Sequence, residues 1–412
     1  MGAAALAAAC SREPVTESVA RSPDEAGMAW QASIPAGALS GGMVVSSDRL
    51  LLTSRERLLS IDANTGTLVS EFRNPSGEML SQPTVVDDTL TVVTDSRSVI
   101  GLERSGREAW RYAFGPAALD GEKLAAQPCL VTPDGTVLAS GVDGYIHAVD
   151  RTGQGRWRAH VGTYGAGKAA VPLATTPDYL LVDTRPSPSD KPSLVAVDLH
   201  DGHQLRFSID LGIDVSGLVG GGRAGIVATT YTETKSRRGA SRLVALDERG
   251  RQRWVVDRGR HEAVHAVTPA GEVLTVSQNA DDAEPDSRLE LWSSDGERMH
   301  EQPLDLRVVA LLLGSDETLY VVGCQEHSAA VLTFKHDLAP AAPLSVEAAC
   351  PQAATLDDRG RLLLIAAKPL AAATSDGSLR LSRVLTPSPA PAPSWSVPRG
   401  RASGSGAFST AL

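Results

Sequence analysis

The chain has 412 residues, of which 39 are Lys or Arg and 49 are Asp or Glu, so its formal net charge is −10 at pH 7. Apolar residues make up 42% of it, which is enough for a packed core and excludes wholesale disorder. The acidic balance argues against a nucleic-acid-binding protein, and no apolar run reaches the ~20 residues that span a bilayer.

The chain begins with small and apolar residues that lead to a lone cysteine, Cys10. This run resembles the lipobox of bacterial lipoprotein signals, and the resemblance implies lipid attachment at Cys10. The alternative is a small-residue tail with an incidental cysteine. Residues 1–10 are thus interpreted as the remnant of a lipoprotein signal. Residues 11–27 are polar and predict a flexible tether, and residues 28–412 form the predicted folded domain.

A pattern of ~45 residues recurs through that domain, and repeats of this length indicate a stacked architecture. Each copy has two apolar strand runs, a third run that ends in an acidic residue, a glycine turn, and an aromatic residue. Two degenerate copies, near residues 331–334 and 379–381, bring the number of copies to eight. The glycines of the six clearer copies are 40 to 49 residues apart: Gly66, Gly106, Gly153, Gly202, Gly250 and Gly296.

Each copy divides into four short strands, which we name a to d in chain order. The a–b and c–d connections carry hairpin chemistry, as in Pro133-Asp134-Gly135, where Asp and Gly tolerate positive φ. Four strands in each of eight copies predict an all-β fold, a single β-propeller of eight four-stranded blades. A large aromatic ring after the c–d glycine is expected to lie over that turn and against the next blade.

The acidic residue, the Thr-Gly turn and the Trp together resemble the tryptophan-docking repeat of PQQ-type β-propellers. The pattern is clear for Trp110, Trp157 and Trp254, whereas copies one and four place Phe72 and Phe207 near the Trp position. Within this group, the blade number and the anchor are similar to those of BamB-like lipoproteins of outer-membrane assembly. The resemblance implies a scaffold role and leaves the partner open.

Both ends of the folded domain contain a run that looks like strand d. Residues 28–34 carry Trp30 and residues 394–397 carry Trp395, each at the place of a docking Trp. No strands a to c precede the first run. We therefore expect at least one terminus to complete a blade that the other terminus begins, and the sequence does not decide which.

The sequence predicts no catalytic, cofactor or metal site. PQQ-type propellers include quinoprotein dehydrogenases, and membership of that group implies a vicinal disulfide beside the quinone. The four cysteines stand at 10, 129, 324 and 350, so none are adjacent. Histidine pairs such as His200 and His203 lack the further ligands that a tetrahedral metal site needs.

Two of the cysteines are candidates for a disulfide. Cys324 ends strand b of copy seven, and Cys350 lies in the linker that enters copy eight. In a propeller, b–c loops and d–a linkers emerge on the same face, so the two thiols can meet if their Cα atoms come within ~7 Å. Cys129 lies in an apolar strand and is interpreted as a buried thiol.

The b–c loops vary most in length, and they all emerge on one face. They are short in copies one, two, three and seven and longer in copies four, five, six and eight. The long loop of copy five is basic, with Lys235, Arg237 and Arg238, and that of copy six is acidic, with Asp281 and Asp282. Such loops on a rigid scaffold predict a partner-binding surface; the alternative is tolerated insertions that pair with each other.

These features predict a non-catalytic β-propeller scaffold that binds a protein partner and no cofactor. The anchor places it in the bacterial cell envelope, on the periplasmic side or the surface of the outer membrane, with a role in outer-membrane protein assembly. One alternative is an envelope sensor or binder of a saccharide or small ligand, although aromatic residues outside the docking positions are scarce. A quinoprotein dehydrogenase is a further, disfavoured alternative.

Overall fold

Antiparallel β-sheets make up the regular structure of the computed structural model, and no helix occurs among the residues that it describes. These residues lie between 28 and 384, with gaps at 35–38, 117–125, 165–167, 170, 176–177, 185–192, 203–204, 211–213, 221–225, 232–240, 248, 259–260, 268–270, 279–286, 315–317, 345, 347, 357–360 and 368–378. Apart from one two-stranded hairpin, the described strands form eight successive sheets, which we number 1 to 8 from residue 39.

The first three sheets follow one another after the N-terminal strand β1 (Met28–Ile34). Sheet 1 contains β2 (Leu39–Ser46), β3 (Arg49–Ser54), β4 (Arg57–Asp62) and β5 (Leu68–Arg73). Sheet 2 contains β6 (Thr84–Val85), β7 (Leu90–Thr94), β8 (Ser98–Glu103) and β9 (Glu108–Ala113). Sheet 3 contains β10 (Leu130–Val131), β11 (Val137–Ser140), β12 (Tyr145–Val149) and β13 (Gly155–His160).

A small hairpin, absent from the sequence-based prediction, separates sheets 3 and 4. It pairs β14 (Thr163–Tyr164) with β15 (Lys168–Ala169). Sheet 4 contains β16 (Val171–Thr175), β17 (Tyr179–Thr184), β18 (Ser193–Asp198) and β19 (Leu205–Asp210). Sheet 5 contains β20 (Asp214–Gly220), β21 (Ile226–Tyr231), β22 (Ser241–Leu246) and β23 (Gln252–Arg258).

The last three sheets include the one sheet that departs from four regular strands. Sheet 6 contains β24 (His261–Val267), β25 (Val273–Gln278), β26 (Ser287–Trp292) and β27 (Arg298–Leu304). Sheet 7 contains β28 (Arg307–Leu313), β29 (Leu319–Gln325) and β30 (Ser328–Phe334). Sheet 8 contains β31 (Pro351–Leu356), β32 (Leu362–Ala367) and β33 (Leu379–Val384), with β1 as its fourth strand.

Sheet 7 corrects the expectation of four regular strands in every copy. The segment after β30 turns back along it but pairs only through isolated bridges, at Pro340, Leu344 and Ala349. Pro340 and Pro343 lack the N–H that a continuous ladder needs. The outer edge of this sheet is therefore irregular.

The N-terminal strand completes the C-terminal sheet. β1 runs antiparallel to β33, with Ile34 opposite Leu379 and Gln31 opposite Ser382. Sheets 8 and 1 also share a hydrophobic cluster, in which Leu363 and Ile365 of β32 pack with Leu50 and Leu52 of β3. The two ends of the described chain are thus joined by both backbone pairing and side-chain packing.

Buried apolar side chains lie in layers between neighbouring sheets. Such layers join sheets 1 and 2, 2 and 3, 3 and 4, 5 and 6, 6 and 7, and 7 and 8. The first strands also meet in sequence, since β2 contacts both β6 and β31, and β20 contacts both β16 and β24. A single antiparallel sheet has two faces to cover, and stacking against a neighbour on each side buries both.

The c–d turns are built by the acidic residue and the glycine of the repeat. In sheet 3 the Asp150 carboxylate accepts hydrogen bonds from the backbone N–H of Thr152 and of Gln154, at 2.8 and 3.0 Å. Gly153 adopts a φ of 86°, a left-handed conformation that favours glycine. Asp62 and Asp247 accept turn N–H groups in the same way. This local chemistry explains the regular spacing of acidic residue and glycine.

Candidate interaction site

The b–c turns and the d–a linkers of sheets 1 to 3 lie on one face of the molecule, which we call the b–c face. The residue after each strand d donates its backbone N–H to a carbonyl of the b–c turn of the same sheet. These bonds join Asn74 to Glu56, Phe114 to Arg97, and Val161 to Gly144, at 2.8, 2.8 and 3.0 Å. The linkers therefore brace the short b–c turns.

Asp95 organises the b–c turn of sheet 2. Its carboxylate is 3% exposed, and it accepts hydrogen bonds from Asn74 Nδ2 and Arg111 Nη1, both at 3.1 Å, and from the N–H of Ser98 at 2.7 Å. Asn74 belongs to the linker that leaves sheet 1, whereas Arg111 lies on β9. One buried carboxylate thus fastens two neighbouring sheets at the b–c face, and Arg111 supplies the opposite charge that a buried anion requires.

A second buried network lies at the b–c turn of sheet 3. His147 is 2% exposed; its Nε2 lies 3.0 Å from Asp143 Oδ1, and its Nδ1 lies 3.1 Å from the Tyr112 hydroxyl. Because a carboxylate only accepts hydrogen bonds, we assign the proton of neutral His147 to Nε2, and Tyr112 then donates to Nδ1. Tyr112 lies on β9, so this network joins sheets 2 and 3.

The surroundings shift the pKa values of two members of this network. Burial acts to raise the pKa of Asp143, but hydrogen bonds from His147 and from the N–H groups of Gly115 and Tyr145 outweigh it and hold that pKa below its ordinary value. Burial, helped by the negative charge of Asp143, raises the pKa of the Tyr112 hydroxyl. Asp143 is therefore ionised, and Tyr112 keeps its proton at neutral pH.

The docking tryptophans lie over the c–d turn of the following sheet, which corrects the expectation that each covers its own turn. Trp110 donates from Nε1 to the carbonyl of Arg151, at 2.9 Å, and a Cβ added to Gly153 would lie 2.8 Å from its ring. The bond from Trp157 to Leu199 is 3.2 Å, and that from Trp254 to Ser294 is 2.9 Å.

The direction of docking follows from the pairing within each sheet. Each of the three Trp residues stands opposite a small residue of its own strand c, namely Gly101, Ala148 or Ala245. The ring covers that residue and extends to the next sheet. All three tryptophans are half-buried.

Sheet 1 has no aromatic ring at the docking position. Ser70 occupies it, with its Cβ 3.1 Å from the position of a Cβ added to Gly106, whereas Phe72 lies two residues further along and is buried. Arg49 supplies the missing donor, since its Nη1 hydrogen-bonds to the carbonyl of Arg104 and, at 3.3 Å, to Ser60 Oγ. Phe72 thus lies near the docking position, as predicted, but does not occupy it.

Several predicted site residues lie outside the described residues. These are Cys10, Trp395, the basic residues Lys235, Arg237 and Arg238, and the acidic residues Asp281 and Asp282. Trp30 lies in β1, opposite Arg383, and the structure describes only its backbone. The structure thus neither brings the charged loop residues together nor separates them.

The cysteines of the last two copies are joined. Cys324 of β29 and Cys350, which precedes β31, form a disulfide with their Cα atoms 4.8 Å apart. The bond ties the irregular outer segment of sheet 7 to its second strand on the b–c face. Cys129 is a free, buried thiol, and burial raises its pKa to about 12.

The two buried carboxylate networks were missed at the level of sequence. Asp95 and Asp143 stand in b–c turns, but each network includes a residue of another sheet. Asn74 lies 21 residues before Asp95, and Tyr112 lies 35 residues before its partner His147.

In the described part of the chain, no group of three or more His, Cys, Asp or Glu side chains has the geometry of a metal site. No described helix is long and apolar enough to cross a membrane.

Solved structures with the same kind of fold are similar to this chain at low sequence identity. The Dos1 propeller is 12% identical over 86% of this chain and 96% of that chain, with a TM-score of 0.57. The dihydro-heme d1 dehydrogenase NirN, in complex with DHE, is 15% identical over 75% and 67%, with a TM-score of 0.54. BamB from Moraxella catarrhalis is 16% identical over 84% and 86%, with a TM-score of 0.43. At these identities the likeness to the Dos1 propeller and to NirN shows a propeller-like fold alone.

Family membership rests on the sequence itself. No curated protein matches the chain. The model of the family described as "Outer membrane protein assembly factor BamB" matches it twice, over residues 16–171 and 142–307, which together span more than half of its length. The chain belongs to this family of PQQ-type repeat proteins.

Proposed function

We propose that this protein is a non-catalytic scaffold of the bacterial cell envelope that presents its b–c face to a protein partner. The observation that carries the proposal is the family match, because the name of the family refers to outer-membrane protein assembly. The disulfide between Cys324 and Cys350 supports an exported protein, since disulfides persist in oxidising compartments and are rare in the cytosol. A role in outer-membrane assembly is part of this proposal.

The scaffold proposed is one closed propeller of eight blades, each blade being one of sheets 1 to 8. Its support is the junction between the first and last sheets. Beyond the shared cluster, Arg361 Nη1 of sheet 8 lies 2.8 Å from Asn64 Oδ1 in the c–d turn of sheet 1, and Arg383 donates to the carbonyl of Asn64 at 3.2 Å. A closed ring presents all of its b–c turns as one surface.

Lipid attachment at Cys10 is a further part of the proposal. Its support is the small-residue run before the cysteine, and the polar residues 11–27 would act as a tether between lipid and propeller. Cys10→Ser should move the protein from the membrane fraction to the soluble fraction of bacterial cells without lowering its melting temperature. Wild-type protein found wholly in the soluble fraction would contradict the anchor.

Catalysis by a quinone enzyme remains disfavoured. The chain has no adjacent cysteines to form the vicinal disulfide that the dehydrogenases of this fold place beside their quinone. The likeness to NirN concerns the fold alone and assigns no reaction to this chain.

The partner surface is tested by reversing charge in the basic b–c loop. Arg237→Glu with Arg238→Glu should slow association with the envelope partner recovered by crosslinking, most strongly at low salt, because charges at the edge of an interface act mainly on encounter. The melting temperature should stay within the small range of exposed substitutions, ~0.5 kcal/mol in stability.

A matched control exists on the opposite face, where the c–d turns lie. Arg249 and Lys335 are exposed there, and among described residues neither is within ion-pairing distance of a carboxylate. Arg104 and Arg107 are poor controls because they pair with Asp48 and Glu103, each at 2.6 Å. If Arg249→Glu with Lys335→Glu weakens binding and the loop change does not, the partner binds the face of the c–d turns and not the b–c face.

A further inference from the structure

Rings of two neighbouring sheets meet along the outer seam between sheets 2 and 3. Tyr112 of β9 and Phe114, the residue that follows β9, face His147 of β12, with ring centroids 5.6 and 5.1 Å from that of His147. Tyr145 lies 5.0 Å from His160 on β13. We call the following residues the aromatic seam: Trp110, Tyr112, Phe114, Tyr145, Arg158 and His160.

The side chains of the aromatic seam are accessible, although many contact each other. The four Trp, Tyr and Phe rings are half-buried, and His160 and Arg158 are exposed. Aromatic residues make up only 4% of the chain. Aromatic residues are scarce in the chain as a whole, but four of them lie together at this seam, where their rings can contact a ligand. Tyr, Trp and Arg are the residue types that dominate the energy of protein interfaces.

The buried network beneath the seam holds the ring of Tyr112 in place. Asp143 fixes the ring of His147, and His147 Nδ1 accepts a hydrogen bond from the Tyr112 hydroxyl. A ring that is already held in one orientation loses little conformational entropy when a partner binds over it. The network thus preorganises the ring of Tyr112 for binding.

The seam carries a positive charge that no described carboxylate neutralises. The guanidinium of Arg158 lies 4.9 Å from the centroid of the Tyr145 ring, and no carboxylate of the described residues lies within ion-pairing distance of it. Its neighbours differ, since Arg156 pairs with Asp134 at 2.7 Å and Arg111 pairs with Glu108 at 2.8 Å. In a chain of net charge −10, this cation is suited to a carboxylate from another molecule.

A shallow cleft extends the seam toward the c–d turns. It has a volume of about 440 Å³ and is lined by the apolar residues Leu90, Ala109 and Trp110, by Thr89 and Ser105, and by the charged residues Glu103, Arg104 and Arg151. Trp110, Tyr112 and Phe114 are alternate residues of one strand and its continuation. Since a strand advances ~3.3 Å per residue, these rings span the length of a short extended peptide.

We propose that the aromatic seam binds an extended, acidic peptide segment of a partner protein. The rings supply apolar contact area, the cleft receives one side chain, and Arg158 pairs with a carboxylate of the segment. This surface contains none of the long b–c loop residues on which the proposed function rests.

Selection from a peptide library tests the proposal even while the partner is unidentified. The full chain is immobilised, and a phage-displayed library of random octapeptides is selected against it. The selected peptides should be enriched in Asp and Glu together with apolar residues. One such peptide, synthesised with fluorescein, is then titrated by fluorescence anisotropy at low and high salt.

Two charge-matched variants decide the outcome. Arg158→Glu should weaken binding of that peptide by about tenfold at low salt, as loss of a charge-assisted contact does, whereas Arg249→Glu, with the same change in net charge, should alter it less than about twofold. Selection of no peptides, of peptides without acidic enrichment, or equal effects of the two variants would overturn the proposal. Arg237→Glu with Arg238→Glu should leave this titration unchanged, so failure here is distinguishable from failure of the proposed function.

Discussion

Trp157 shows how a single side chain joins two sheets of this protein. Its ring would lie 2.1 Å from a Cβ added to Gly202, and its Nε1 bonds to the carbonyl of Leu199, three residues before that glycine. The glycine therefore has two roles, since it adopts a φ of 64° and leaves room for the ring. Gly77 adopts a similar φ of 69° with no atom within 4 Å of an added Cβ.

These two glycines separate the cost of conformation from the cost of the clash. Gly77→Ala should lose about 1 kcal/mol of unfolding free energy, which is the cost of a left-handed alanine. Gly202→Ala should lose about 2–4 kcal/mol, because the ring of Trp157 must also move. Chemical denaturation of both variants measures the difference. In a Trp157→Ala background the two substitutions should lower the unfolding free energy by the same amount. If Gly202→Ala still cost more than Gly77→Ala there, docking of Trp157 on Gly202 would be contradicted.

Asp143 gives the stability of the protein a dependence on acid. Because its pKa is held below the ordinary value in the folded state, the unfolded chain binds more protons in acid. The stabilisation from this group is therefore complete above the unfolded pKa of ~3.9 and is lost as the pH falls through the folded pKa.

Replacement of Asp143 tests that interpretation. At pH 7 Asp143→Asn should cost about 1–3 kcal/mol, because an amide cannot satisfy the N–H groups of His147, Gly115 and Tyr145 as the carboxylate does. The difference between wild type and variant should shrink when urea denaturation is repeated near pH 3. An equal difference at both pH values would mean that the ionised carboxylate is not what the network stabilises.

The outer segment of sheet 7 is held by isolated contacts and not by a regular ladder. Backbone hydrogen bonds join it to β30, from Ala329 N–H to Ala348, from Ala341 N–H to Thr333 and from Leu344 N–H to Val331, at 2.9, 2.8 and 3.1 Å. The disulfide joins it to β29 through Cys324. Prolines at 340 and 343 interrupt the rest of the ladder. The disulfide is therefore expected to be the main constraint on this edge.

Removal of the disulfide should act locally. Cys324→Ser with Cys350→Ser should cost about 2–4 kcal/mol, the usual range for a native disulfide. Hydrogen–deuterium exchange should speed up at the amides of Ala329 and Leu344, while the paired amides of β11 and β12 in sheet 3 serve as an internal control. Unchanged exchange at Ala329 would show that the bridges hold the edge without the disulfide.

Sequence reasoning succeeded where the chemistry is local and failed where it depends on neighbours in space. The Asp150 and Gly153 turn is local, because both residues act within one hairpin, and so its period was readable. The turn that Trp110 covers could not be predicted, because the spacing of the repeat does not tell whether a ring covers the c–d turn of its own sheet or that of the next sheet. In sheet 1, Ser70 and Arg49 take the place of a docking Trp. This could not be predicted either, because Arg49 bonds to the carbonyl of Arg104, which lies 55 residues away.

At the scale of the whole molecule, every layer of the core depends on the neighbouring sheet. Sheet 8 packs on sheet 1 through Leu363 and Ile365, so the ends of the chain use the same kind of contact as internal neighbours do. The pairing of β1 with β33 makes the N-terminal segment part of the last sheet. The sequence alone does not show which terminus supplies the outer strand of the last sheet, because both termini carry a run with the pattern of strand d.

The b–c turns form one surface only if β1 closes the ring by pairing with β33. Gln31 and Ser382 are direct partners across β1 and β33, and paired strands place Cα atoms ~5 Å apart, within reach of a disulfide. Gln31→Cys with Ser382→Cys should therefore crosslink under mild oxidation, as read by mass spectrometry of proteolytic peptides, whereas Ser382→Cys with Trp395→Cys should not. Crosslinking of the second pair and not the first would contradict closure by β1, because the C-terminal run would then supply the outer strand of the last sheet.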